Sequence, residues 1–228
     1  MNNEIKRATG LLVIEVVNSN PNGDPDRESD PRQRPNRIGE ISPVSFKRKL
    51  RDLMEDHKSI YFESLPKCFT ENEDHYRILE SRERVRAEIA KEMAHDITVY
   101  DEPEFLDSVF VHKYWDARVF GNTFLEKTAN KGFIKTGVVQ FGVGTSISPI
   151  NVVRETNTNK AGVQEEKNSG MAPLGFRIVE HGVYCMPFFV NPNYARKTGC
   201  EPNDIELLKL LIPKAYDLNR SAIRPDVR

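Results

Sequence analysis

The feature that most constrains this chain is an aliphatic run that ends abruptly against a string of turn formers. Gly10-Leu-Leu-Val-Ile-Glu-Val-Val17 reads as a strand. It is nearly continuously apolar, which predicts burial on both faces or a place near the centre of a sheet. Asn18-Ser-Asn-Pro-Asn-Gly-Asp-Pro-Asp26 then stops it with residues that favour turns. A helix follows, with Ser42 as N-cap and Pro43 in its first turn. Phe46, Leu50, Leu53 and Met54 form its apolar stripe, and Lys47, Arg48, Lys49 and Arg51 occupy its flanks. A strand, an amide-rich loop and a cation-bearing helix together can hold a polyanion, because loop amides donate to phosphate or sugar while cations neutralise charge. Asn18, Asn20 and Asn22 in the loop, with Lys47, Arg48 and Arg51 on the helix, are the candidate nucleic-acid contacts.

The whole-chain charge gives this reading no help. Lys and Arg number 33 against 34 Asp and Glu, a formal net charge of -1 over 228 residues. A polyanion site must therefore come from local clustering, with acidic residues segregated elsewhere. The length suits one large domain or a domain with an insertion, and 38% apolar with 29% charged residues describes a globular protein with much charged surface. Cys68, Cys185 and Cys200 are widely spaced, which argues against a disulfide framework and a structural zinc site. The N-terminus has no apolar signal stretch and no segment reaches membrane-spanning length, so a cytoplasmic location is expected and the Asn219-Arg220-Ser221 sequon is read as chance.

Further along, residues 18–42 form a long connection carrying Arg27, Arg32, Arg34 and Arg37. Glu71 to Ile97 reads as a charged helix with a thin apolar seam of Ile78, Val85, Ile89 and Met93, part of an acidic helical insertion. Val109 to Val111 and Ala117 to Phe120 read as extended. Val138 to Pro149 reads as a strand whose glycines mark a bulge or a close approach. Residues 151–172 begin and end like a hairpin around a polar middle. Gly182 to Val190 is another strand, and Glu201 to Tyr216 an amphipathic helix with Pro202 in its first turn. The order implies an α+β sandwich, helices on one face of a mixed or antiparallel sheet. Asp217 to Arg228 holds no predicted strand, so the sheet lacks the closing strand usual for a split β-α-β fold.

Each candidate has a plainer alternative. The helix cations could be a solvated face. Asp24, Asp26 and Asp30 could bind Mg²⁺ and activate water or a 2′-hydroxyl, or could serve the turn alone. Trp115, Arg118 and Phe120 could stack bases on an exposed strand or fill a core, with Arg118 the member expected to reach a ligand. Gly142-Val-Gly-Thr-Ser146 lacks the lysine of a P-loop and the helix of a dinucleotide fold. The five histidines show no metal-ligand spacing, and no nucleophile–base pair is legible. No cofactor is implied.

The chain resembles the crRNA-binding backbone subunit of type I CRISPR effector (Cascade) complexes, closest to its I-C and I-B branches. The resemblance rests on the loop Asn18 to Asp26, on Phe46-Lys-Arg-Lys-Leu-Arg51, on Tyr114-Trp-Asp-Ala-Arg-Val-Phe-Gly121, on Val138 to Pro149 and on Asp217-Leu-Asn-Arg-Ser-Ala222. They occur in the family's order and span nearly the whole chain. It implies an RRM-like (modified ferredoxin-like) palm built from residues 1–59, 109–150 and 173–228, a helical insertion at 60–108, and a thumb hairpin at 151–172 with Lys160 and Met171 as RNA contacts. It also implies a non-enzymatic scaffold assembling in several copies along crRNA and presenting it to target DNA. Its partners would be the repeat-handle-binding, large and small subunits, with a nuclease-helicase recruited indirectly and no membrane contact. Related type III subunits cleave RNA from the same loop, which leaves a metal-dependent ribonuclease using Asp24 or Asp26 as the alternative. A free single-strand-binding module is a third reading.

Overall fold

The computed structural model describes residues 4–82, 85, 87, 88, 91, 106–124, 133–159 and 172–228, and it is a mixed α+β protein. Two compact units are interleaved along the chain. One comprises residues 1–10, 46–141 and 187–218, the other residues 11–45, 142–186 and 219–228.

The second unit is built on a sheet. Its strands are β1 (Ala8–Ser19, from Leu11 onward in this unit), β2 (Gly23–Asp24), β3 (Asp30–Pro31) and β4 (Ile38–Ile41). β8 (Gly144–Pro149), β9 (Val152–Asn159), β10 (Ala172–Val190, to Met186 in this unit) and β11 (Asp226–Val227) complete it. The order is β11-β1-β10-β8-β4, with β9 also along β10 and β2–β3 a separate small ladder. β11–β1, β10–β8, β10–β9 and β4–β8 are antiparallel. Ile14, Val16, Ile41, Ile150, Ile178, Tyr184 and Met186 are its buried core.

Several expectations change here. β1 is not buried on both faces: Leu11 and Val13 are 59% and 63% exposed while Ile14 and Val16 are buried. An antiparallel sheet covered on one side explains this, since alternate residues face opposite ways. The long connection 18–42 carries secondary structure of its own. It contains the β2–β3 ladder around a 3-10 turn at Pro25–Arg27, then β4, which adds to the sheet beside β8. The closing strand expected to be missing is present. Val16 pairs with Val227 and Val17 with Asp226, and the Glu15 and Arg228 backbones exchange hydrogen bonds at 2.7 and 3.0 Å. Two residues between Pro225 and Arg228 carry too little hydrophobic pattern to be read as a strand.

The first unit is mainly helical. α1 (Pro43–Glu55) begins where Ser45 N–H donates to the Ser42 hydroxyl at 3.2 Å, as the capping reading expects. From Phe46 onward it belongs to this unit, with α2 (Ile60–Glu63), α3 (Lys67–Thr70), α4 (Val109–Lys113), α5 (Trp115–Phe120), α6 (Ala195–Thr198) and α7 (Pro202–Leu211). β5 (Gly121–Phe124) pairs with β6 (Phe133–Thr136), and β7 (Val139–Phe141) pairs with the last residues of β10. Phe46 packs edge-on against Phe141 at 5.1 Å between centroids and lies 6.1 Å from Tyr216, and Phe120 lies 5.4 Å from Trp115. Aromatic pairs at such separations add to simple burial.

Here the two extended readings around Trp115 are corrected to helices α4 and α5. All six residues of α5 are buried, so no polar stripe shows a helical period, and Trp, Val and Phe then read as strand formers. The stretch from Val138 is likewise two strands, β7 and β8. Phe141 pairs with Phe188 and Thr145 with Cys185, four steps against three, so one residue is extra. That is the bulge the glycines predicted. The helix predicted from Glu71 is a 3-10 turn at Glu73–Tyr76 followed by non-helical chain to Arg82, and most of its remainder lies outside the described residues. α7 ends at Leu211, where Pro213 enters a 3-10 turn and cannot continue the hydrogen-bond ladder. Among the described residues no helix is long and apolar enough to cross a membrane.

Candidate nucleic-acid interface

In the sheet unit, the asparagines of the turn-forming loop are held differently from one another. Asn18 is exposed with φ 43°, a left-handed conformation that asparagine tolerates. Asn20 and Asn22 are buried. Asn20 Oδ1 accepts from the Asn22 N–H at 3.1 Å, and its Nδ2 donates to the Ser29 carbonyl at 2.8 Å. Asn22 Nδ2 donates to the Gly23 carbonyl at 2.8 Å, while its Oδ1 accepts from the Ser42 N–H at 2.7 Å. These amides tie the loop to itself and to the residue that caps α1. Asp24 Oδ1 accepts from the Asp26 N–H at 3.3 Å, capping the 3-10 turn, and Asp30 forms an ion pair with Arg177. The Asp24 and Asp30 carboxylates therefore act locally, one on the backbone and one on a cation, while Asp26 enters through its N–H.

In the helical unit, the α1 cations are neither a solvated face nor a free row. Lys49 and Arg51 are buried. Arg51 Nε donates to Asp116 Oδ2 at 2.8 Å, and its Nη2 lies 3.1 Å from Glu80. Asp116 also accepts from the N–H groups of Leu79 at 2.7 Å and Glu80 at 3.2 Å. Lys47 Nζ stands 5.2 Å from the Phe120 ring centroid, and Arg51 stands 5.3 Å from the same ring. Burial first, and then the Arg51 charge, lowers the Lys47 ammonium below its ordinary pKa. Arg48 donates to the Glu80 carbonyl from the partly exposed side.

Arg118, expected on an exposed strand, sits on α5 with 1% of its side chain exposed. Its guanidinium has five N–H donors and makes five hydrogen bonds. Nε and Nη2 bind the two oxygens of Asp204 at 2.9 and 2.8 Å, and the others reach the carbonyls of Val111, His112 and His75. Asp204 in turn accepts from the Glu201 N–H at 2.9 Å, closing the first turn of α7, and Trp115 Nε1 donates to its carbonyl at 3.2 Å. The Trp-Asp-Ala-Arg string is thus a structural hub, Trp115 and Arg118 reaching Asp204 and Asp116 reaching Arg51. Sequence reasoning named neither acid. Both were detectable in principle: Asp116 lies between Trp115 and Ala117, and Asp204 is the third residue of a helix opened by Pro202, where a carboxylate suits the free N–H groups.

The two remaining candidates, Lys160 and Met171, lie outside the described residues. Among the described residues no group of three or more His, Cys, Asp or Glu is arranged to hold a metal ion. The Cys200 thiol is buried, and that burial pushes it well above its ordinary pKa.

Residues 6–228 match the family described as CRISPR-associated protein Cas7. A relative from Haloferax volcanii, also described as CRISPR-associated protein Cas7, is 25% identical, aligned over 92% of this chain and 64% of its own length. The chain thus spans less than two thirds of that relative. Among solved structures, a chain of a CRISPR RNA-guided surveillance complex aligns with a TM-score of 0.42 and 15% identity, over 90% of this chain and 60% of its own. A chain of a CRISPR RNA-guided surveillance complex, pre-nicking, gives 0.43 and 14%, over 96% and 77%. The match along residues 6–228 places this chain in the CRISPR-associated protein Cas7 family.

Proposed function

We propose that this chain is a non-catalytic, RNA-binding scaffold that assembles in several copies along a CRISPR guide RNA and presents it for pairing with target DNA. Membership of the Cas7 family over residues 6–228 carries the reading. A net charge of -1 supports a scaffold whose RNA contacts are local clusters rather than a uniformly basic surface. The branch is that of types I-C and I-B, on the loop and Trp-Asp-Ala-Arg strings.

In this reading residues 1–59, 109–150 and 173–228 make an RRM-like palm. Residues 60–108 are an insertion, and residues 151–172 a thumb that folds over the RNA with Lys160 and Met171. Lys47 and Arg48, the less buried α1 cations, face the guide phosphates, as does the exposed Asn18. The chain works in the cytoplasm beside the repeat-handle-binding, large and small subunits, with a nuclease-helicase recruited to the assembled complex. The Asp24 side chain capping its own turn supports a structural role for that loop.

Binding to labelled single-stranded RNAs of unrelated sequence, followed by anisotropy across a salt series, tests this. The scaffold binds all of them comparably without Mg²⁺, and Lys47→Ala with Arg48→Ala lowers affinity for every sequence and flattens the salt dependence. Strong sequence preference, or no affinity for RNA, would count against it.

A further inference from the structure

The ladder between β9 and β10 sets Arg154 directly opposite Arg177. Like charges facing one another across an antiparallel pair are destabilising, so this position calls for a counter-charge. Arg177 has one: its Nη1 meets the carboxylate of Asp30. The Arg154 guanidinium lies over Gly175, where an added Cβ would stand 3.0 Å from Nη2 and 3.2 Å from Nε. A residue without a side chain leaves that space to the guanidinium. Among the described residues Arg154 makes no ion pair. The two arginines, with Asn20, Ser29, Asp30 and Ile223, line a cavity of about 180 Å³.

The wall that carries Asp30 is held under strain. Glu28 and Ser29 take φ of 51° and 64°, consecutive left-handed residues with side chains. Ser29 is fixed at both ends, its N–H donating to the Asp24 carbonyl at 2.9 Å and its carbonyl accepting from Asn20 Nδ2 at 2.8 Å. The buried Asn20 thereby positions the next residue, Asp30, against Arg177.

We propose that Arg154 and Arg177 form a phosphate subsite for the backbone of single-stranded RNA, and that Asp30 is its resident counter-ion, displaced when a phosphodiester enters. The proposal rests on the RNA-binding reading above. Two guanidiniums offer planar donor forks that suit phosphate oxygens in pairs. A carboxylate and a phosphate compete for the same donors. The Asp30–Arg177 pair is partly exposed, so exchanging it for phosphate sacrifices little stability. The subsite reads charge, not base identity, as a scaffold for variable sequences requires.

The test compares Arg154→Gln, Arg177→Gln and Asp30→Asn with Lys67→Gln, an exposed cation on α3, in the same RNA anisotropy assay. Each arginine variant is expected to weaken binding by roughly tenfold and reduce the salt slope by about one. Asp30→Asn tightens binding several-fold, and Lys67→Gln changes it little. Arginine variants no weaker than Lys67→Gln, while the parent binds RNA, would overturn the subsite and leave the scaffold reading intact. Asp30→Asn that weakens binding with an unchanged melting temperature would overturn the counter-ion role. If the parent fails to bind RNA, the scaffold reading fails, and inorganic pyrophosphate decides the subsite. A melting-temperature rise in the parent but not in the arginine variants upholds it, and equal rises reject it.

Discussion

Arg118 and Asp204 stand 86 positions apart in sequence and meet through two parallel hydrogen bonds of 2.8 and 2.9 Å, both side chains closed off from water. Removing one partner of such a pair leaves the other charge buried alone. Arg118→Met is therefore expected to cost about 3–5 kcal/mol of unfolding free energy. Urea denaturation measures it. A variant of unchanged stability that has lost RNA binding would restore Arg118 to the ligand side.

Arg51 and Asp116 make a second internal pair, and they should be coupled. Arg51→Ala and Asp116→Ala each destabilise, and the double variant costs less than the sum of the singles by about 1–3 kcal/mol. A double-mutant cycle in urea provides the number. Strict additivity would mean that the 2.8 Å contact contributes nothing.

Gly137 and Gly144 separate two kinds of crowding. A Cβ at Gly137 would fall 2.1 Å from the backbone carbon of Phe120, which cannot move aside, whereas at Gly144 the nearest atoms belong to the flexible Met186 side chain at 3.1 Å. Gly137→Ala should cost about 1–3 kcal/mol or more, and Gly144→Ala clearly less. Melting temperatures of the two variants give the order.

Acid should weaken the fold through His57 and His75. Burial, followed by the charge of Arg77 for His57 and of Arg118 for His75, lowers both below the ordinary 6.5, against smaller opposing effects of Glu73 on His57 and of Asp204 and Glu201 on His75. The unfolded chain then takes up protons before the folded one. Their contribution to stability is complete above 6.5 and is lost as pH falls through the depressed folded values. Urea midpoints measured from about pH 8 down to about pH 5 should decline, and a His57→Gln, His75→Gln variant should decline less over the same range. Identical profiles would contradict this assignment.

The sequence carried the start of the fold further than its middle. Ser42, Pro43 and the Phe46–Leu50–Leu53–Met54 spacing located α1 because capping and a 3.6-residue period are local signals. α5 was hidden because burial on every side erases that period, and β11 because two residues have no period at all. For the site, residue type was legible and direction was not. Asn20, Asn22, Arg51 and Arg118 each looked able to bind a ligand, and each is held by protein partners distant in sequence. Arg154 and Arg177 went unnoticed because only the register of β9 against β10 brings them face to face.

Electron microscopy of the protein mixed with full-length guide RNA tests the central claim most directly. The scaffold account predicts regular, length-limited particles in which the number of protein copies rises with RNA length. Isolated protein beside free RNA, at concentrations where the subunits should saturate it, would contradict that account.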